Sequence, residues 1–359
     1  VPALLRALRT SLPAQPLTAA AVLQYLGGGG RSASGVDVNA QTAMRHMAVL
    51  RSIQLTAGTI ASLPLKTYKD TTDADGQTIR QQVPSQLFLD PMHAELDITW
   101  FEGIEFMVSS VMRFGNSCSL MIRNNAGDRV VRLLPLPAEV VQRIWRQGGQ
   151  KWFQITGIEE PLTPNEVLHI PGISWDGICG MSPIDAAREA IGIGLAAEEV
   201  AARLYDSGLL NGGFLKALGP VTEPQADLAK QRWKDKVGGL VRAYEVALLS
   251  EGFEFVPNTI PPRDAQFLES RQFSVAEIAR LYGAPPSLLF EYMGTGNVDA
   301  EKMGETWVRF SLGQFLARIE DRLSLHLLPR GTFCEFEADG LMRGNTIEEA
   351  KALSLEVAA

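Results

Sequence analysis

The tetrapeptide Ser182-Pro183-Ile184-Asp185 opens a helix and constrains this chain more than any other stretch. Serine caps free amides, proline suits the first helical turn, and an acid at the third position suits the positive end of the helix. The pattern runs from Pro183 to about Ser207, which at 1.5 Å per residue is roughly 38 Å. The segment is rich in alanine and carries Gly192 and Gly194 in its interior, where each glycine costs up to about 1 kcal/mol against alanine. Two arrangements explain them: a close helix crossing within one subunit, or a helix packed tightly against copies of itself. A helix of this length divides the chain into two parts of different character.

Before it, residues 1–39 are rich in Pro, Gly and Ala and read as a flexible arm. Met44, Met47, Leu50, Leu55 and Ile60 recur with helical spacing over residues 40–62. Pro64 stops that helix, and Leu65 to Tyr68 alternates as a strand. Asp73 to Gly76 is a turn, and Trp100 to Arg113 a helix ended by Gly115-Asn116. Strands follow at Cys118–Arg123, Val130–Leu134, Trp152–Thr156 and Val167–Ile170, with hairpin turns at Asn124–Asp128 and Gln147–Gln150. Residues 40–175 therefore predict an α+β body with a mostly antiparallel sheet.

After it, Gly208 to Gly219 predicts a turn and a short strand, and Glu223 to Val237 a helix. Tyr244–Leu249 and Phe253–Val256 read as a hairpin around Glu251-Gly252. A helix spans Asp264 to Tyr282 and ends at Gly283, before Pro285-Pro286. A loop over 283–297 leads to Asn297, which caps a long helix to about Leu328. Met303, Trp307, Phe310, Phe315, Ile319 and Leu323 form its apolar stripe. Pro329-Arg330-Gly331 ends it, Phe333 to Glu337 alternates as a strand, and Asn345 begins a last helix.

Composition narrows the function. The 359 residues are 46% hydrophobic and 21% charged, the balance of a folded protein of two or three domain-sized units. Thirty-three Lys and Arg face 41 Asp and Glu, a net charge of -8, which argues against tight wrapping of nucleic acid. Charge is uneven, since residues 1–68 carry six bases and one acid. Three distant cysteines, Cys118, Cys179 and Cys334, form neither a disulfide framework nor a metal pair. No run of 18 apolar residues predicts a membrane span. Arg6 and Arg9 before Leu17–Leu26 resemble a signal peptide only faintly, since Gln24 and Gly27–Gly30 break it. A start at Val1 and a stop within a helical pattern fit a portion trimmed from a longer protein.

No enzymatic constellation emerges. Phosphate-loop, zinc-protease and nucleophile-elbow motifs are absent from the sequence. His46, His93, His169 and His326 lack metal-ligand spacing. His169, Ser174 and Asp176 suggest a hydrolytic triad, but such close spacing rarely brings three groups together productively. Residues 274–292 have the rhythm of a helix-turn-helix, the alternative reading as a DNA-binding regulator. Its second helix would be Ser287 to Tyr292, which holds no Arg, Lys, Asn or Gln to read bases and one acid.

Six segments, in order, carry a family likeness: Ile60–Leu65 with Tyr68; Phe114-Gly115-Asn116; Leu133–Pro137; Val167–Ile170; Gly177–Ile184; and Glu277–Pro286. The chain resembles the portal (head–tail connector) proteins of HK-type long-tailed phages over about residues 40–345. Ser117-Cys118 departs from the small and aromatic residues usual there. The resemblance implies an α+β portal fold in a non-enzymatic ring, typically of twelve copies, at one capsid vertex of the virion, assembled in the host cytoplasm. Double-stranded DNA would pass through it during packaging and ejection.

On this chain the resemblance implies a wing at 40–181, stem helices at 182–207 and 263–282, and a clip at 208–262. A tunnel loop at 283–299 follows, then a long helix returning to the wing at 300–340, and the start of a crown at 341–359. Expected partners are other copies, the large terminase subunit, the head–tail adaptor and the major capsid protein, with no cofactor, metal or membrane. Glu291, Tyr292, Met293, Thr295 and Asn297 would line the channel at the loop tip. Lys230, Trp233, Lys234 and Lys236 would dock the motor or adaptor, and Gly192 and Gly194 would let neighbouring stem helices approach. Twelve helices about 10 Å apart enclose a bore of roughly 28 Å, wide enough for a duplex. An acidic wall would let DNA slide, because few phosphates would be neutralised.

Overall fold

The computed structural model describes residues 30–72, 78–124, 126–127, 129–207, 213–217, 222–224, 226–228, 231, 253–257, 264–289 and 300–338. It begins with a small antiparallel hairpin, β1 (Gly30–Arg31) and β2 (Asp37–Val38). Residues 30–39 are thus part of the body rather than of an arm. Ser32 N–H donates to the Val36 carbonyl at 2.9 Å, Ala33 N–H donates to the Glu189 carboxylate at 2.8 Å, and Val38 is buried. Composition misses this because the hairpin is held by backbone bonds, not by apolar content.

The helix expected over 40–62 is two helices, α1 (Ala40–Ala43) and α2 (Met47–Ser62). His46 separates them by capping the second, its Nδ1 accepting from Ala48 N–H at 3.3 Å. Pro64 then releases the chain into β3 (Leu65–Thr72), which pairs with β4 (Thr78–Gln82). The turn read at Asp73–Gly76 lies outside the described residues. A short α3 (Gln86–Leu89) leads to α4 (Trp100–Phe114). A Thr99–Glu102 capping box starts α4, and Gly115 ends it at φ 77°.

Strand β5 (Asn116–Arg123) lies between β6 (Val130–Leu136) and β9 (Val167–Pro171), antiparallel to both. Between them in sequence, β7 (Val141–Gln147) and β8 (Gln150–Ile155) make a separate hairpin, turning at Gly148 and Gly149 with positive φ. The sequence reading missed β7 because most of its side chains are solvated, which removes the alternating apolar signal. Strand β5 serves two cores. Met121 joins the large core formed by α2, α4 and the later helices, while Cys118 and Leu120 join Phe153, Ile155 and Val167 in a smaller one.

The helix opened by Ser182 bends at once. It comprises α5 (Pro183–Ala186) and α6 (Arg188–Ser207), with Ala187 at φ -103° and ψ 21° between them. Strands β10 (Gly213–Ala217) and β11 (Phe253–Pro257) pair antiparallel. The hairpin partner expected for β11, Tyr244–Leu249, lies outside the described residues. Helix α7 (Asp264–Tyr282) has the bounds expected of it. A single 3₁₀ turn, Pro286–Leu289, follows Gly283.

The long helix resumes as α8 (Ala300–Trp307), passes through a π-helical stretch, Val308–Leu312, and continues as α9 (Gly313–Leu327). The stretch puts Val308 and Leu312 in the core and turns Phe310 outward, 63% exposed, so Phe310 leaves the apolar stripe assigned to it. Strand β12 (Thr332–Phe336) pairs with β3, closing the body. The helix expected from Asn345 lies outside the described residues.

Candidate functional site

Four of the six segments that carry the family likeness, Phe114–Asn116, Val167–Ile170, Gly177–Ile184 and Glu277–Pro286, meet at one junction, where α4 ends, α5 begins and α7 arrives. Three backbone segments cross there without side chains. Gly172 N–H donates to the Gly115 carbonyl at 2.7 Å. A Cβ on Gly180 would overlap that carbonyl and the Gly172 nitrogen, and one on Gly115 would overlap the Met181 carbonyl.

Asn116 locks the crossing. Its Oδ1 accepts from Gly180 N–H at 2.7 Å, and its Nδ2 donates to the Gly180 carbonyl at 2.8 Å, as one peptide group pairs with another. His169 Nε2 lies 3.0 Å from the same Oδ1. Ser182, the cap read from sequence, accepts from Asp185 N–H at 3.2 Å and donates to the Arg113 carbonyl at 2.9 Å. The start of α5 is thereby tied to the end of α4.

No hydrolytic triad forms. The Ser174 hydroxyl donates to Asp176 at 2.9 Å, while His169 turns to Asn116 and to Lys151 Nζ, 3.5 Å from its Nδ1. Asp176 also accepts from the backbone of Ile178 and Cys179, and these bonds hold its pKa below the ordinary carboxylate value. Burial raises both nearby thiols, pushing Cys118 up to about 12, so neither is an activated nucleophile.

Burial, reinforced by the Lys151 and Arg322 charges, lowers the His169 pKa from 6.5 to about 3. Between those values an unfolded chain takes up a proton that the native ring refuses, so stability is complete above about pH 6.5 and falls as acid is added. A His169→Gln variant should lose less stability than the parent between about pH 6.5 and pH 4. Urea titrations at each pH measure the difference, and parallel losses would remove His169 as the cause.

Helix α7 reaches the junction through Tyr282, whose buried hydroxyl lies 3.4 Å from the Met112 carbonyl. Burial raises its pKa. The next residue, Gly283, has φ 64°, and its carbonyl accepts from Ser311 Oγ at 2.7 Å. The π-helical stretch thus holds the exit of α7. Below it, Arg318 donates to the carbonyls of Pro171 and Gly172 at 3.2 and 2.9 Å. A groove of about 310 Å³ opens here, bordered by Ile173, Arg280, Phe310 and Arg318. The helix-turn-helix reading fails at this point, because Pro286–Leu289 is one 3₁₀ turn and not a second helix.

The expected site residues divide clearly. Gly192 abuts Ser32 of the β1–β2 hairpin and Gly194 abuts His46, so the close approach that both permit is made within the subunit. Glu291, Tyr292, Met293, Thr295 and Asn297 lie outside the described residues, as do Lys230, Trp233, Lys234 and Lys236. Asn116, Gly172 and Ser311 went unassigned in sequence. Only Asn116 left a signal, its place directly after a helix-ending glycine. Among the described residues, no cluster of three or more His, Cys, Asp or Glu could hold a metal, and no helix is long and apolar enough to cross a membrane.

Comparison with known proteins follows the same segments. A phage portal protein family model matches residues 47–359. The chain is 31% identical over 353 residues to the probable portal protein of Streptomyces phage phiC31, covering 91% of this chain and 74% of that protein. The crystal structure of an HK97-family phage portal protein from Corynebacterium diphtheriae shares the fold, with a TM-score of 0.61 at 18% identity, over 84% of this chain and 96% of that one. A chain in the neck of a native gene transfer agent particle, computed with C12 symmetry, matches with a TM-score of 0.59 at 19% identity, over 89% and 88% of the two chains. From residue 47 to its last residue, this chain belongs to the phage portal protein family.

Proposed function

We propose that copies of this chain close into a ring, twelve in number, forming the portal at one capsid vertex of a virion. Double-stranded DNA is packaged and ejected through it. The observation that carries this reading is family membership across almost the whole chain, and the twelvefold neck holding a similar chain supports the subunit number. In this reading residues 40–181 are the wing, 182–207 and 263–282 the stem, 208–262 the clip, 283–299 the tunnel loop, 300–340 the return to the wing, and 341–359 the start of the crown. Contact between neighbouring stem helices falls to Ile193 and Val200, which lie seven residues apart on one exposed face of α6. The protein works as a conduit and not as a catalyst, and the ring assembles in the host cytoplasm before entering the particle.

The base of the tunnel loop fits that role. Besides the Ser311 contact to Gly283, the Ser287 hydroxyl lies 3.7 Å from Met303 Sδ. Both ends of the loop are thereby fixed, and Glu291, Tyr292, Met293, Thr295 and Asn297 at its tip face the DNA. Deleting residues 291–296 is expected to leave rings intact while lowering packaged or retained DNA at least tenfold. Electron microscopy and nuclease-protected DNA measure the two quantities, and normal packaging would overturn the assignment.

The clip meets the large terminase subunit and later the head–tail adaptor, through Lys230, Trp233, Lys234 and Lys236, and the major capsid protein is a further partner. Reversing the charges at Lys230 and Lys234 should weaken binding of the motor or the adaptor. Unchanged pull-down of both refutes this docking site.

A further inference from the structure

Two apolar surface patches at opposite ends of α4 have rims of opposite charge. At its C-terminal end, Ile173, Trp175 and Phe310 are 66%, 88% and 63% exposed. Ile173 and Phe310 border the 310 Å³ groove, Trp175 lines the adjoining cavity, and Met181 lines both. The three large side chains therefore form a continuous apolar strip, which an isolated soluble surface seldom carries. The charges bordering the groove itself are positive, whereas Asp176 and Asp185 border the cavity beside Trp175. Arg280, which lies 3.9 Å from Glu277, and Arg318 line the groove, Arg309 sits beside Phe310, and the groove's described lining residues include no carboxylate.

At the N-terminal end of α4 the signs are reversed. Leu89 and Phe101 are exposed, each beside an exposed acid, Asp90 and Glu102. Trp100 fixes this tip, donating its indole N–H to the Leu87 and Asp90 carbonyls and meeting Phe88 edge-on at 4.8 Å. Val111 and Met112 of α4 line the groove, ten residues from Phe101, so the patches stand roughly 15 Å apart along the helix.

A closed ring of identical copies needs two different faces of each copy to meet head to tail. We infer that the acidic tip around Leu89, Asp90 and Phe101 of one copy docks in the arginine-rimmed groove around Ile173 and Phe310 of the next. The occupant is a second copy of this chain, chosen by charge complementarity between two apolar patches that leave each other's rims satisfied. The inference rests on the ring reading above and names the surface that closes it.

Cysteines placed at Phe101 and Phe310 test it in the full chain. Mild oxidation of the assembled double variant should give a covalent ladder of dimers and higher multimers, and each single variant should stop at dimers or below. Rings that form normally but give no ladder, or that cross-link only within one copy, overturn the docking surface and leave the ring reading standing. Failure of the parent chain to form any ring by native mass spectrometry overturns both. Charge reversal provides the independent arm. Arg309→Glu and Asp90→Arg should each lower the ring fraction about tenfold, and mixing the two variants should restore assembly. No loss in either, or no recovery on mixing, overturns the inference.

Discussion

A Gly180→Val variant is expected to lose about 3–5 kcal/mol of stability, a large part of the 5–15 kcal/mol typical of a folded domain. The added Cβ has nowhere to go. It would overlap the Gly115 carbonyl and the Gly172 nitrogen, which are backbone atoms hydrogen-bonded to each other at 2.7 Å. A flexible side chain could swing aside, but crossing backbones must separate, and separation breaks that bond and both Asn116 bonds to Gly180. Overpacking against a rigid neighbour costs more than the usual 1–3 kcal/mol for this reason. Gly304→Ala provides the contrast. Gly304 sits in α8 with nothing within 4 Å of a Cβ, so the change should be neutral or stabilise by up to about 1 kcal/mol. Urea unfolding of the two variants beside the parent decides the matter. Equal stabilities would refute the close crossing.

The second large effect is expected at Asn116. Replacing it by leucine keeps the volume but removes an acceptor and a donor pair that face Gly180 and His169. The Gly180 peptide and the His169 ring are then left short of partners beneath the surface. Stranding buried polar groups costs about 1–3 kcal/mol each, so a loss of about 2–4 kcal/mol is expected. Asn116→Asp separates the hydrogen-bond role from the packing role. A carboxylate 3.0 Å from Nε2 favours the imidazolium, so His169 should titrate well above its present value of about 3. Following the imidazole resonances by NMR across the acid range tests this, and an unmoved titration would show that the two groups are not coupled.

What the sequence could reveal was governed by how local each cause is. Helices α4 and α7 were legible to within a residue, because Thr99, Glu102, Gly115 and Gly283 mark their ends by chemistry acting over one turn. The Ser182 cap was legible for the same reason, yet the bend at Ala187 was not, since neither glycine nor proline marks it. The π-helical stretch was invisible as well. An apolar stripe drawn at helical spacing assigns Phe310 inward, and only a tertiary contact such as Ser311 on Gly283 tells otherwise. Asn116 was passed over as a helix terminator because its partners lie 53 and 64 residues away. The family likeness pointed to the junction through Phe114-Gly115-Asn116 and Gly177–Ile184 but could not say that these segments touch. Within the chain, Gly192 meets Ser32 and Gly194 meets His46, a close crossing of the kind their place in the helix allows.

The Ser311–Gly283 contact also bears on how freely the intervening chain can vary. With its ends held together by the body of the protein, closing that chain costs an entropy that changes only as the logarithm of its length. Removing six of the ten residues 290–299 alters that cost by about 0.8 kcal/mol. Closure entropy therefore sets only a small penalty on changing the length of residues 290–299.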